Sequence, residues 1–142
     1  MITKDYIDMA EGSPINGYPD YESGSEAQND RKMEWLKTGR RLLRQLAKEL
    51  GLPKGSYDVR INAAGPACSG EATLHGEYIY VDLGQSCLGK DFGFMWRLCN
   101  GRKDYSGGAN QWSKWKTLLD IPALAGIMRA EYERNPVIFW AG

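Results

Sequence analysis

Two hydrophobic periods divide the chain. Leu36, Gly39, Leu43, Leu46 and Leu50 recur at three- and four-residue steps, the spacing that lines one side of a helix. The predicted helix starts near Ser25, because Ser25, Glu26, Ala27 and Gln28 have the form of a capping box, with Asn29 or Asp30 as later caps. It stops at Gly51, Leu52 and Pro53, where glycine can take the left-handed cap conformation and proline cannot continue the helix. The period then falls to two. Tyr57, Val59, Ile61 and Ala63 alternate with Asp58, Arg60 and Asn62, as in a half-buried strand. Residues 71–74 and 77–83 read as a hairpin turning at His75 and Gly76, and Phe92, Phe94, Trp96 and Leu98 share the buried side of a further strand.

The remaining segments are less regular. Residues 1–24 mix Gly12, Pro14, Gly17, Pro19 and Gly24 with Tyr6, Ile7, Met9, Ile15, Tyr18 and Tyr21, which predicts an irregular acidic arm pinned in part to the domain. Asn100 to Gly108 is rich in turn residues and charge, so it reads as a loop. Trp112, Trp115, Leu118 and Leu119 fit one side of a helical turn or two, with both tryptophans expected as core or rim anchors and not as a base-stacking platform. Asp120 caps a last helix that tolerates Pro122 in its first turn, buries Leu124, Ile127, Met128 and Tyr132, and ends at Asn135 and Pro136. The apolar tail Val137 to Trp140 is expected to be buried, as a fifth strand on the sheet. A helix, several consecutive strands and a second helix give the fold class: a single α+β domain over residues 25–142, with an antiparallel sheet of four or five strands and an N-terminal and a C-terminal helix packed on it.

Composition narrows the class without naming a function. The chain has 142 residues, 42% apolar and 25% charged, enough for one core without disulfides or a structural metal. Lys4, Asp5, Asp8 and Glu11 interrupt the first residues before any leader-like run develops, and no apolar stretch approaches the roughly 20 residues of a membrane span. The expectation is a soluble, cytoplasmic protein with no membrane partner. Cys68, Cys87 and Cys99 include no C-x-x-C pair and His75 is the single histidine, which argues against a disulfide framework and a zinc site. No cofactor is expected.

Charge adds more. Formal net charge is zero, yet residues 1–30 hold seven acids against Lys4, and residues 31–60 hold nine Lys or Arg against Glu34, Glu49 and Asp58. On the first helix Lys37, Arg40, Arg41, Arg44 and Lys48 share a broad solvent side, the strongest basic face in the chain. A second basic region surrounds the glycine-rich loop, where Arg97, Arg102, Lys103, Lys114 and Lys116 accompany Gly101, Gly107 and Gly108. Backbone amides there can approach a phosphate, although the loop lacks the order of a P-loop or a dinucleotide fingerprint. Together these regions point to an anionic partner, a nucleic acid or a nucleoprotein complex, provided that the fold places them on one surface. Arg40, Arg41, Arg44, Arg97, Arg102 and Lys103 are the expected electrostatic contacts, and Tyr105 and Trp112 the packing anchors.

Two other classes stay open. In size, single domain and lack of a catalytic signature, the chain resembles small phage and mobile-element proteins that inhibit host systems by direct binding. That resemblance implies a protein target, in a host defence system for example, engaged through the acidic arm and apolar tail. A cysteine-dependent enzyme would need a base beside Cys68, Cys87 or Cys99, and His75 reads as a polar turn residue instead. Pairs such as Asp82 with Asp91 fix no acid, base or metal role. The sequence therefore leans toward a non-enzymatic binding protein and leaves its oligomeric state open.

Overall fold

The computed structural model describes residues 1–12, 26–63, 70–84 and 93–134, with backbone alone at 26–29 and at Tyr105. The elements are helices α1 (Thr3–Gly12) and α2 (Glu26–Glu49), strands β1 (Asp58–Asn62), β2 (Glu71–His75), β3 (Ile79–Gly84), β4 (Gly93–Gly101), β5 (Asp104–Gly107) and β6 (Gln111–Lys114), a 3-10 turn (Trp115–Leu119) and helix α3 (Ile121–Arg134). All strand pairs are antiparallel, in the order β1-β2-β3-β4-β5 with β6 also paired to β4. The α+β class holds, and the sheet has one strand more than the upper expectation. Among the described residues no helix is long and apolar enough to cross a membrane.

Register explains how the sheet acquires two faces. Val59, Leu74, Val81 and Trp96 lie opposite one another on successive strands, as do Ile61, Ala72 and Leu83. Directly paired residues project to the same face, so these side chains, with Ile79, Phe94 and Leu98, form the inner face of the sheet. Helix α2 packs on β1 and β2, while α1 and α3 pack on α2 and on the 3-10 turn, so every described helix lies on this inner side. Gly39 allows a close approach: a Cβ there would meet Ala72 Cβ at 3.4 Å and Leu83 Cδ1 at 3.6 Å. The predicted stripe Leu36, Gly39, Leu43, Leu46 and Leu50 is buried, and Trp35, Leu42 and Ala47 widen it because α2 has neighbours on its flanks as well as beneath it.

The C-terminal end of α2 follows the expected stop. Gly51 takes φ 73°, its amide donates to the Lys48 carbonyl at 3.0 Å, and the Leu52 amide donates to the Ala47 carbonyl at 3.0 Å. These paired bonds satisfy carbonyls that the last turn leaves orphaned. The capping box at Ser25 lies outside the described residues. On α3, Asp120 Oδ1 accepts from the Ala123 amide at 3.1 Å, which is the cap expected from sequence.

Five expectations are corrected. Residues 3–12 are helical and not part of an irregular arm; Tyr6, Ile7 and Ala10 form the buried side of α1. A ten-residue helix is marginal alone, and this one is held by tertiary contact: Tyr6 stacks on Trp35 at 4.3 Å, and Trp35 Nε1 donates to the Tyr6 carbonyl at 3.1 Å. Trp115 meets both rings edge-on and lies 5.7 Å from Phe94, joining α1, α2, the 3-10 turn and β4 in one aromatic cluster. Residues 13–24 of the arm, and the tail from Asn135, lie outside the described residues.

The loop from Asn100 is largely strand, and the helical turn expected from Trp112 begins only at Trp115, as the 3-10 turn. Asp104–Gly107 folds back on the end of β4 across a bulge, and Gln111–Lys114 pairs with Gly93 to Trp96. Trp112 is therefore carried by a period of two, opposite Met95 on the outer face, and is 58% exposed, while Trp115 is fully buried. His75 is the last residue of β2, with the turn closed beyond it by the Gly76 amide on the Ile79 carbonyl at 2.8 Å. On α3, Ile121, Leu124, Ala125 and Met128 form the buried stripe; Ile127 is 54% exposed because the neighbouring α2 and 3-10 turn lie on the other side, and Tyr132 packs on Tyr78 at 4.9 Å.

Candidate functional site

Among the described residues, the outward side of α2 carries a continuous row of cations. Lys37, Arg40, Arg41, Arg44 and Lys48 line one shallow groove with Gln45 and with no acidic side chain. Positions 37, 41, 44 and 48 advance by three or four residues, so their side chains rise in a single row about 16 Å long at 1.5 Å per residue. The row faces away from the sheet because Leu36, Gly39, Leu43 and Leu46 commit the opposite side of the helix to the core. Among the described residues none of the five cations is in an ion pair. Arg41 donates to the Met1 carbonyl at 3.3 Å, while the amino terminus of Met1 pairs with Glu34 at 3.4 Å. Lys32, counted with the basic segment, is buried and gives its ammonium to the Ala63 carbonyl, so it contributes nothing to this surface.

The second basic region has a different character. Arg102 and Lys103 form the tip between β4 and β5, with Lys103 at φ 66°. Arg102 contacts Asp58 at 3.6 Å and Glu77 at 3.3 Å, and donates to the Gly55 carbonyl at 2.8 Å. It clasps the turn before β1 to the sheet. Its charge is met at home. The Tyr105 side chain lies outside the described residues.

Arg97 and Trp112 lie elsewhere again, on the outer face. That face carries Asp58, His75, Tyr80 and Arg97 in one cross-strand row and Arg60, Thr73, Asp82, Met95 and Trp112 in the next. Glu71, Thr73, His75, Tyr80, Met95, Arg97 and Asn110 line a groove of about 380 Å³. Arg97 is held on one wall by the Gly108 carbonyl and by Asn110 Oδ1 at 3.3 Å, leaving its buried Nε without an acceptor. Asp82 is hydrogen-bonded to Glu71 and accepts from Tyr80, yet its buried Oδ1 has no donor. Burial, then the Glu71 charge, pushes the Asp82 carboxyl up to about 7. Nearby, His75 Nε2 shares a 2.9 Å hydrogen bond with Thr73 Oγ1, and burial followed by the Arg60 charge lowers its pKa.

The fold thus separates what the sequence had grouped. Arg40, Arg41 and Arg44 are together on α2, Arg97 and Trp112 are on the opposite face of the molecule, and Arg102 with Lys103 sits at the end of the sheet. The outer-face polar set was missed as a site because its members come from β2, β3 and β4; the available signal was the alternation of Glu71, Thr73 and His75 with apolar residues. Cys99 is buried, and burial raises its thiol to about 11, which keeps it protonated at neutral pH. Cys68 and Cys87 lie outside the described residues, and among those described no cluster of three metal-ligating side chains occurs. Comparison with protein-family models, curated proteins and solved structures finds no match to this chain.

Proposed function

We propose that this protein is a non-enzymatic binding protein that engages an anionic macromolecule, nucleic acid or a nucleoprotein complex, through the outward side of α2. The observation that carries the reading is the groove of five cations with no acidic side chain in its lining. Like charges this close raise one another's energy, and a polyanion relieves that repulsion while releasing its own condensed counterions. Three of the five are arginines, whose planar forks bind phosphate in a bidentate manner. Arg102 belongs to the scaffold in this reading, because its guanidinium already has two carboxylates.

The test is fluorescence anisotropy with labelled mixed-sequence single- and double-stranded DNA and RNA over a salt series, on the wild-type chain and on R40E/R41E/R44E. If all five cations meet phosphates, log K against log salt should slope at about −4.5 on duplex DNA and about −3.5 on single strands. Unaltered affinity in a folded charge-reversed variant would overturn the assignment to α2. No binding to any nucleic acid at low salt would remove nucleic acid itself as the target.

A further inference from the structure

The outer face of the sheet combines three features that α2 lacks. It is uncovered by any described helix, it exposes a large aromatic ring at Trp112, and the strands that carry it and its neighbours bury an unmatched donor and an unmatched acceptor. Trp112 stands opposite Met95, which lines the groove, and two residues beyond Asn110, which lines it too. Buried polar atoms without partners are unfavourable and mark places where a ligand can complete the hydrogen bonding. Here the orphans are of opposite kind: Nε of Arg97 donates, and Oδ1 of Asp82 accepts.

A simple anion satisfies the first and is repelled by the second, since Glu71, which lines the groove, is hydrogen-bonded to Asp82. A simple cation meets the converse conflict with Arg97. A ligand carrying donors and an acceptor on one flat edge, and a π-face to lay on an indole, satisfies both. Nucleobases have this construction, and single strands are recognised on open sheets by aromatic stacking together with hydrogen bonds to the freed base edges. We propose that the outer face of the sheet binds an unpaired base of a single strand, with Trp112 stacking on the ring, the Glu71 and Asp82 carboxyls accepting its N–H groups and Arg97 donating to its carbonyl. Guanine fits best, because its Watson–Crick edge sets two adjacent N–H donors beside a carbonyl oxygen. A strand is favoured over a free nucleoside because no described helix covers the groove, whereas small-molecule sites enclose most of their ligand.

The choice of ligand class rests on the polyanion reading, but different residues carry it, and the two fail separately. The probes are thymine hexamers with one central guanine, adenine or cytosine, measured by anisotropy, with free guanosine as competitor. The guanine hexamer should bind at least about fivefold more tightly than the adenine one. Trp112→Ala should weaken all three by roughly tenfold, and it will not unfold the chain because the ring is exposed. Asp82→Asn, which keeps the shape, should abolish the guanine preference while retaining the stacking contribution. In R40E/R41E/R44E the overall affinity should fall with the ratio between bases unchanged, which separates this site from α2. Equal affinity for the three hexamers, or full affinity in Trp112→Ala, would overturn the inference. Competition by guanosine at the hexamer's own concentration would overturn the choice of a strand.

Discussion

Helix α2 and the β4–β5 hairpin look alike in sequence, each a cluster of arginine and lysine, yet the fold gives them different electrostatic lives. On α2 the cations stand in a row with no acid in the groove they line. In the hairpin Arg102 reaches Asp58, Glu77 and the Gly55 carbonyl, contributed by segments that sequence separation had hidden. The difference teaches that formal charge along a chain is not charge available to a partner. What matters is whether opposite charges from other elements have been folded against it.

The largest effect should come from attacking the unpaired row. R40E/R41E/R44E should lower polyanion affinity by about a hundredfold or more at low salt, and R102E/K103E by less than about threefold; comparable losses in the two would break the contrast. The position of the row can be tested next through the packing beneath it. Gly39→Val places a branched side chain where Tyr6 Oη already stands 3.1 Å, and Ala72 Cβ 3.4 Å, from a bare Cβ. It should cost about 2 kcal/mol in chemical denaturation, from overpacking that outweighs valine's small gain in helix propensity over glycine. Unchanged stability would mean that α2 is not seated so closely.

The hairpin arginine should matter to folding instead. Arg102→Ala should lower stability by about 1 kcal/mol, because the half-buried side chain joins two acids to a carbonyl. A loss below about 0.3 kcal/mol would reduce the clasp to an ordinary surface contact. Asp82 offers a measurement of similar size. The unfolded chain loses this proton near 3.8, whereas the folded chain keeps it up to about 7. The folded state thus binds more protons across that window, and stability falls as pH rises through it. Discounted for partial exposure, the decline should be on the order of 1 kcal/mol, and Asp82→Asn should flatten it. Smallest of all, Lys103→Gly should raise stability by about 0.5 kcal/mol, since the left-handed φ of 66° strains a side-chain-bearing residue while glycine's freedom in the unfolded chain offsets part of the gain, and binding through α2 should be unchanged.

Much of the fold was legible because its signals are local. The α2 stripe, the glycine stop at Gly51, the Asp120 cap and the alternation in β1 and β3 each rest on residues within a turn or two of one another. The errors arose where a distant partner overrode a local pattern. Trp112 and Trp115 have helical spacing, but pairing with β4 holds Trp112 in a strand and sends the two rings to different environments. Tyr6 belongs to a segment too short to be helical alone and becomes helical against Trp35. The candidate site divides in the same way. One basic face was readable because a helix places positions 37, 41, 44 and 48 together whatever surrounds them.

By itself, then, the sequence determined the α+β class, the course of α2 and the basic outward side of that helix, since each follows from periodicity within one element. Tertiary structure alone decided that Arg102 is neutralised, that Arg97 and Trp112 lie on the far side from α2, and that Glu71 and Asp82 share a hydrogen bond. Those outcomes depend on strand register and on which faces are stacked together. Pairing between residues far apart in the chain sets both, and no local spacing encodes it.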